Sequence, residues 1–315
     1  MRGWLFRLIL GFLIVIFLLL SGGYWFIVQY EKEIKVAILE EAGQKIHGKV
    51  YFDAIEFDFF EHFPDISVVV INSSILDSAL HRNVLRAERI FFHANLSELL
   101  TNNLTIRQVG IKNATIVFIT DSSGYSNLQI FKDLPKKTPS NPKKNKSRLD
   151  FTLQKIVFKQ VSISFIDSSQ HKLISFQLRD VQVNLGRNRE KVLPITLHGN
   201  VFFQDLGFNL SKGSFLKDKE TVLNLKSTFD FKSKILNLDT SQLVFDKQVL
   251  NLAGKLDFSK KSAFMKLAIF TDAIEVEKAK TLLTKHINKK IEDYAITEPV
   301  ALHALLQGEL RPKTD

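Results

Sequence analysis

The 315-residue chain has no cysteine. That one absence excludes disulfides, iron–sulfur clusters, Cys-ligated zinc and thiol catalysis together. With 7 Pro and 14 Gly, collagen and Pro-rich stalks are excluded as well. Charged residues at 24% and apolar residues at 45% rule out disorder of the whole chain. The eight histidines never fall in a metal-ligand spacing with a nearby second ligand. There is no Gly-x-Ser-x-Gly elbow and no phosphate-cradling glycine loop. Ser169-x-x-Lys172 and Ser214-x-x-Lys217 stand alone, without the companion motifs a serine–lysine enzyme requires. Glu56, Asp58 and Glu61 lie on the wet side of an alternating run, as solvated carboxylates do. The expectation is a protein that is not an enzyme, with no cofactor and no metal.

The net charge of +10 is unevenly placed. Arg2, Arg7 and the run from Lys132 to Arg148 account for most of it and leave the remainder near neutral. A nucleic-acid reader concentrates positive charge on a face of its fold. No nucleic-acid partner is expected.

What is present begins with Leu8 to Val28, 21 positions without a charge. As a helix this run is roughly 32 Å long, against a ~30 Å hydrocarbon core. The only two tryptophans, Trp4 and Trp25, flank it, the placement of an aromatic belt. The reading is a retained membrane anchor, with Leu8, Leu13, Phe17, Leu20, Trp25 and Val28 in the bilayer, preferred over a signal peptide cut after Gly23. Arg2 and Arg7 precede it while Glu31, Lys32, Glu33 and Lys35 cancel, which puts the N-terminus in the cytoplasm and the body outside.

The body divides by period. Residues 1–30 form the anchor, 31–133 an α+β region, 134–148 a basic Pro/Lys-rich loop, and 149–315 a repetitive β-meander with a helix near 273–294. Helical spacing runs from Glu31 to His47, and a short Leu-rich turn from Leu96 to Leu100. Strands are expected at Ile55–Phe59, Ile66–Ile71, Leu85–Ala94, Leu104–Val109 and Thr115–Thr120, with a turn at Asp121–Gly124. The basic stretch LPKKTPSNPKKNKSR has no apolar periodicity and reads as a solvated linker whose removal leaves stability unchanged. Six Asn-x-Ser/Thr triplets, at Asn72, Asn95, Asn103, Asn113, Asn145 and Asn209, read as chance.

After Asp150, two-residue apolar alternations recur, such as Ile156/Phe158, Val161/Ile163/Phe165, Phe176/Leu178 and Val181/Val183/Leu185. Asp246-Lys247-Gln248 and Ser259-Lys260-Lys261 separate them as hairpin connections. More than a dozen strands would each carry one apolar face, with only short helices to cover them. Either two sheets pack as a sandwich, or one sheet curls around something apolar. Composition leaves both open.

A resemblance bears on that choice. The post-membrane helix is followed by FPDISVVVINSSILDS (Phe63 to Ser78) and LRAERIFFHANLSELL (Leu85 to Leu100). LTIRQVGIKNATIVFITDSSGYSNLQIF (Leu104 to Phe131) comes next and contains Asp121-x-x-Gly124-x-x-Asn127. In this order, behind an anchor, the segment from Glu31 to Phe131 resembles the AsmA-like family of envelope proteins, itself similar to bridge-like lipid-transfer proteins. The resemblance implies a mainly β fold in which a long curved antiparallel β-meander forms a groove, with an N-terminal transmembrane helix and a few short covering helices. It implies an inner-membrane anchor, a periplasmic body, membrane phospholipids as partners, and a role in phospholipid transport between inner and outer membrane and in outer-membrane homeostasis. Ile163, Phe165, Phe176, Leu178, Leu225 and Phe229 are then candidate groove-lining residues. So are Phe231, Leu236, Leu238, Leu243, Phe245, Leu252 and Phe258. Relatives are often longer, and Pro299 to Leu302 begins what reads as another repeat before the end at Asp315, so a shortened or fragmentary chain is expected. The other readings are a modulator of outer-membrane protein assembly, with assembly factors as partners, and a structural envelope protein with a dry β-sandwich core.

Overall fold

The apolar alternation changes phase in the middle of several runs, as between Phe158 and Val161 or Leu178 and Val181. A phase change in a period-two pattern signals either a new strand or a residue within one strand that steps out of the alternation. The computed structural model, which describes residues 46–58, 65–95, 105–131, 150–188, 190–259, 263–294 and 296–309, shows the second. Asp150–Asp167 and Lys172–Leu185 are each one continuous strand, and Thr105–Thr120 joins the two strands expected there. The chain therefore forms fewer, longer strands than the alternation suggests.

The strands are β1 (Lys49–Tyr51), β2 (Ala54–Asp58), β3 (Asp65–Asp77), β4 (Arg82–Asn95), β5 (Thr105–Thr120), β6 (Asp150–Asp167) and β7 (Lys172–Leu185). They continue with β8 (Val192–Gly207), β9 (Lys219–Asp230), β10 (Ile235–Phe245), β11 (Gln248–Asp257), β12 (Phe264–Ile274) and β13 (Val300–Glu309). Among the described residues all thirteen belong to one open sheet. β1 and β2 share the first edge by pairing with successive parts of β3, and the order then follows the sequence to β13. Every pairing is antiparallel except β5 with β6, which run parallel from Thr105↔Asp150 to Thr120↔Asp167. The fold is mainly β, a long and mostly antiparallel open sheet with few helices. The hairpin expected at Asp246 and Lys247 is present, with φ of 43° and 63°, the paired left-handed residues of a tight two-residue turn.

The expected helix near 273–294 resolves into three pieces. Ile274 ends β12, and α1 (Val276–Lys280) and α2 (Lys285–Glu292) follow. The Thr284 hydroxyl accepts from Ile287 N and starts α2 afresh, as an N-cap residue does. Among the described residues no helix is long and apolar enough to cross a membrane. The anchor at Leu8 to Val28, nearly all of the helix to His47, the Leu96–Leu100 turn and the basic loop lie outside the described residues.

The residues that step out of the alternation fall on one line across the sheet. Asn72 in β3, Asn113 in β5 and Gln160 in β6 have φ of 51°, 52° and 54°. The registers set Glu88 of β4 and Arg179 of β7 on the same line. Each left-handed residue takes up one step of the alternation, so apolar side chains stay on one face on both sides of the line. Asn is among the residues that tolerate this conformation. Asn72 donates from Nδ2 to Asp53 Oδ2, and Asn113 to Glu88 Oε2. Two triplets that read as chance thus have a backbone reason for their asparagine. Asn209 has another, since its Oδ1 accepts from Ser211 N and Ser211 Oγ to cap a short 3₁₀ turn.

The line meets β8 between Asn200 and Val201, and next to it Gly199, opposite Val181, has φ of 155°; a Cβ there would lie 2.1 Å from the Asp180 carbonyl oxygen. Backbone cannot swing aside as a side chain does. Gly199→Ala is expected to destabilise the protein by about 2–4 kcal/mol, as strain and overpacking together. Denaturant unfolding measures it, and a change below ~0.5 kcal/mol, the usual surface value, would show that β7 and β8 can part there.

Candidate functional site

Register places apolar residues of successive strands side by side. One row runs Ile55, Val70, Ile90, Ile111, Phe158, Val181 from β2 to β7. A second runs Ile75, Leu85, Ile116, Ile163, Phe176, Phe203 from β3 to β8. Farther on, Leu193, Phe229, Leu236, Leu256 and Met265 line up across β8 to β12. The alternate positions form rows such as Lys155, Asn184, Thr196, Lys226 on the other face. One face is thus apolar from β2 to β13, and the other is polar over most of its length. The register carries the apolar face from β5 into β6 without a break, so Val70, Ile90 and Ile111 join it from strands that no lining candidate came from.

Three buried clusters lie on this face, and each draws on neighbouring strands. Phe52, Ile55 and Val70 form the first. Ala87, Ala114, Val161, Leu178, Val181 and Val201 form the second, along β4 to β8. The third contains Leu243, Phe245, Leu250 and Ile274 from β10 to β12, with Leu282 from the α1–α2 connection over them. Leu216 N donates to Leu282 O at 3.2 Å, which ties the β8–β9 loop to the helical segment. Together they cover the strand ends near Phe245.

That cover sorts the candidate lining residues. Leu243, Phe245 and Leu178 are buried, and the first two sit beneath Leu282 in a sealed pocket of side chains. Ile163, Phe176, Leu225, Phe229, Leu236, Leu238 and Leu252 are half-buried along the open stretch of the same face. Phe165, Phe231 and Phe258 are exposed. Phe165 stacks on Phe118 with centroids 4.9 Å apart. Leu238 has only Ser227 and Gly254 as cross-strand partners, so little side-chain bulk stands beside it.

A shallow hollow of about 380 Å³ lies on the opposite face, lined by Asn237, Ala253, Gly254, Lys255, Lys266, Ala268 and Leu305. It is the gap left by Gly254, Ala253 and Ala268 beside Asn237 and the stems of Lys255 and Lys266, and it lies apart from the apolar rows. Among the described residues no cluster of His, Asp and Glu could hold a metal ion.

The Asp121-x-x-Gly124-x-x-Asn127 motif serves the turn after β5. The Asp121 carboxylate accepts from Ser123 Oγ, Ser123 N and Tyr125 N. The Ser123 hydroxyl leads these bonds in holding the carboxyl below its usual range, against the effect of desolvation. Gly124 supplies a φ of 85°. Fully buried Asn127 extends the sheet with its side chain, accepting from Ile119 N and donating to Val117 O. Tyr125 donates to both oxygens of buried Asp77 at 3.1 Å. Burial, then the Asp77 carboxylate, raises the phenol above its ordinary pKa. These groups hold the turn together.

No protein-family model matches the chain, and neither a curated protein nor a solved structure matches it.

Proposed function

We propose that this chain is an inner-membrane-anchored periplasmic protein whose sheet curves into a groove for phospholipid acyl chains, and that it assists phospholipid transport between the inner and outer membranes and outer-membrane homeostasis. The observation that carries this reading is the half-exposed apolar face from β2 to β13. Soluble proteins rarely leave so long an apolar surface open without a partner for it. At ~4.8 Å per strand, twelve strand positions give roughly 50 Å, several times the ~15 Å that one leaflet of acyl chains occupies. A dry sandwich would bring side chains together from strands remote in the order, whereas the three clusters draw on neighbours. The anchor and the compartment rest on the charge-free run from Leu8 to Val28 and its flanking charges.

Photocrosslinking tests the reading on the full chain in its native membrane. A photoreactive amino acid at Leu225 or Leu238 is expected to capture phospholipid, whereas the same group at Lys255 on the polar face yields several-fold less adduct. Absence of adducts along the whole apolar face would end the transport reading.

A further inference from the structure

At the end of the sheet opposite α1 and α2, three turns lie side by side. Phe231 N, just past β9, donates to Lys191 O in the β7–β8 turn, and Phe258 N, just past β11, donates to Lys234 O in the β9–β10 turn, each at 2.9 Å. Phe229 meets Phe231 edge-on with centroids 5.0 Å apart, and Phe258 lies 6.4 Å from the same ring. The apolar face therefore ends in an aromatic lip. Phe231 and Phe258 are 47% and 44% exposed there, too open to be counted as core.

The lip is set in positive charge. Arg187, Lys191, Lys232 and Lys234 are exposed in these turns, and the sequence adds Arg189, Lys260 and Lys261 to the same connections. The acids in these turns and at the adjoining end of β13 are Glu190, Asp230, Asp257 and Glu309. Two of them are turned back on their own turns. Asp230 Oδ1 accepts from Lys232 N and Ser233 N, and Asp257 Oδ1 accepts from Ser259 N and Ser259 Oγ. With these polar groups satisfied internally, the lip offers cations and aromatic area but few directional acceptors. That suits a fluid surface of phosphates over a hydrocarbon layer better than a peptide, which needs main-chain partners.

We propose that this lip docks on an anionic phospholipid bilayer, with Phe231 and Phe258 entering the interface and Arg187, Lys191, Lys232 and Lys234 facing the lipid phosphates. Basic residues near such a surface gain from its negative potential, and the gain falls within a Debye length as salt rises. Docking holds whether or not acyl chains occupy the apolar face.

Because the chain has no cysteine, a single introduced thiol reports on one position. The full chain carrying Phe258→Cys, labelled with an environment-sensitive NBD fluorophore, is reconstituted into vesicles of brominated phosphatidylcholine with or without phosphatidylglycerol. Thr196→Cys on the polar face is the reference. With phosphatidylglycerol present, quenching at position 258 is expected to exceed that at 196 several-fold. It should fall toward the reference at high salt or in the Lys232→Glu/Lys234→Glu background. Both lysines are exposed, so circular dichroism and the melting temperature should not change in that background. Quenching that is equal in neutral vesicles and indifferent to salt is what lipid held on the apolar face produces. That result overturns docking and leaves the groove reading standing. No quenching above the reference in either vesicle also overturns docking.

Discussion

Excising residues 136–148 is expected to abolish cooperative unfolding of the sheet, whereas replacing the same stretch with a Gly/Ser segment of equal length leaves it nearly intact. The parallel register of β5 and β6 sets this requirement. Thr105 pairs with Asp150 and Thr120 with Asp167, so the chain leaves β5 at one end and must re-enter β6 at the other. At ~3.3 Å per residue, strands of this length extend roughly 50 Å. The 3₁₀ turn at Asn127–Phe131 stays near the starting end, where Ile130 O accepts from His47 N. Lys132 to Pro135 and Leu149, all that excision leaves between Phe131 and Asp150, reach only about 20 Å when fully extended. The register then has to break. Ala114 and Val161, which pair across these strands in the largest buried cluster, lose each other. The loss rivals the ~5–15 kcal/mol by which such folds are stable. Thermal unfolding and protease resistance of the solubilised full chain measure it. An excised protein that melts like the parent would mean that β5 and β6 do not pair as described. A Gly/Ser replacement as damaging as the excision would mean that the basic sequence itself packs.

Composition and strand register point in opposite directions on this connection. A parallel crossover is normally recognised by its helix, and a Pro- and Lys-rich stretch without periodicity looks dispensable. Nothing in the alternation of β5 or β6 reports their relative direction. The phase breaks, by contrast, are written in the residues: Phe158 to Val161 and Leu178 to Val181 are each three apart where the pattern demands two. Read as strand boundaries, they inflate the strand count; read with Asn72, Asn113 and Gln160 at positive φ, they are places where paired long strands step out of the alternation together without a change of register. One-sidedness itself is fully legible, because period two fixes the face of every residue once register is known. The cover over Phe245 is not. Leu282 and Leu216 come from distant parts of the chain, and a lone apolar residue in a helix names no partner. Hence Leu243 and Phe245 read as open lining although they are sealed.

That difference between sealed and open positions gives the strongest test of the site. Phe245→Asp is expected to unfold the sheet's C-terminal half, and Leu238→Asp to leave it folded but without lipid. Phe245 is 2% exposed in the cluster with Leu250, Ile274 and Leu282. Removing the ring alone costs about 3–5 kcal/mol. The new carboxylate adds the penalty of a buried charge among the apolar side chains of that cluster. The sum approaches the whole stability of a domain. Leu238 is half-buried between Ser227 and Gly254. A carboxylate there keeps contact with water, and the loss is the partial burial of one leucine, roughly 1–2 kcal/mol. It does, however, set a charge in the middle of the apolar face, where an acyl chain would have to strip its hydration. Paired melting curves and phospholipid crosslinking from Leu225 separate the outcomes. A folded Leu238→Asp protein that still captures lipid at Leu225 as the parent does would remove that stretch from the path. If Leu238→Asp unfolds as readily as Phe245→Asp, the face is closed along its length and the groove reading fails with it.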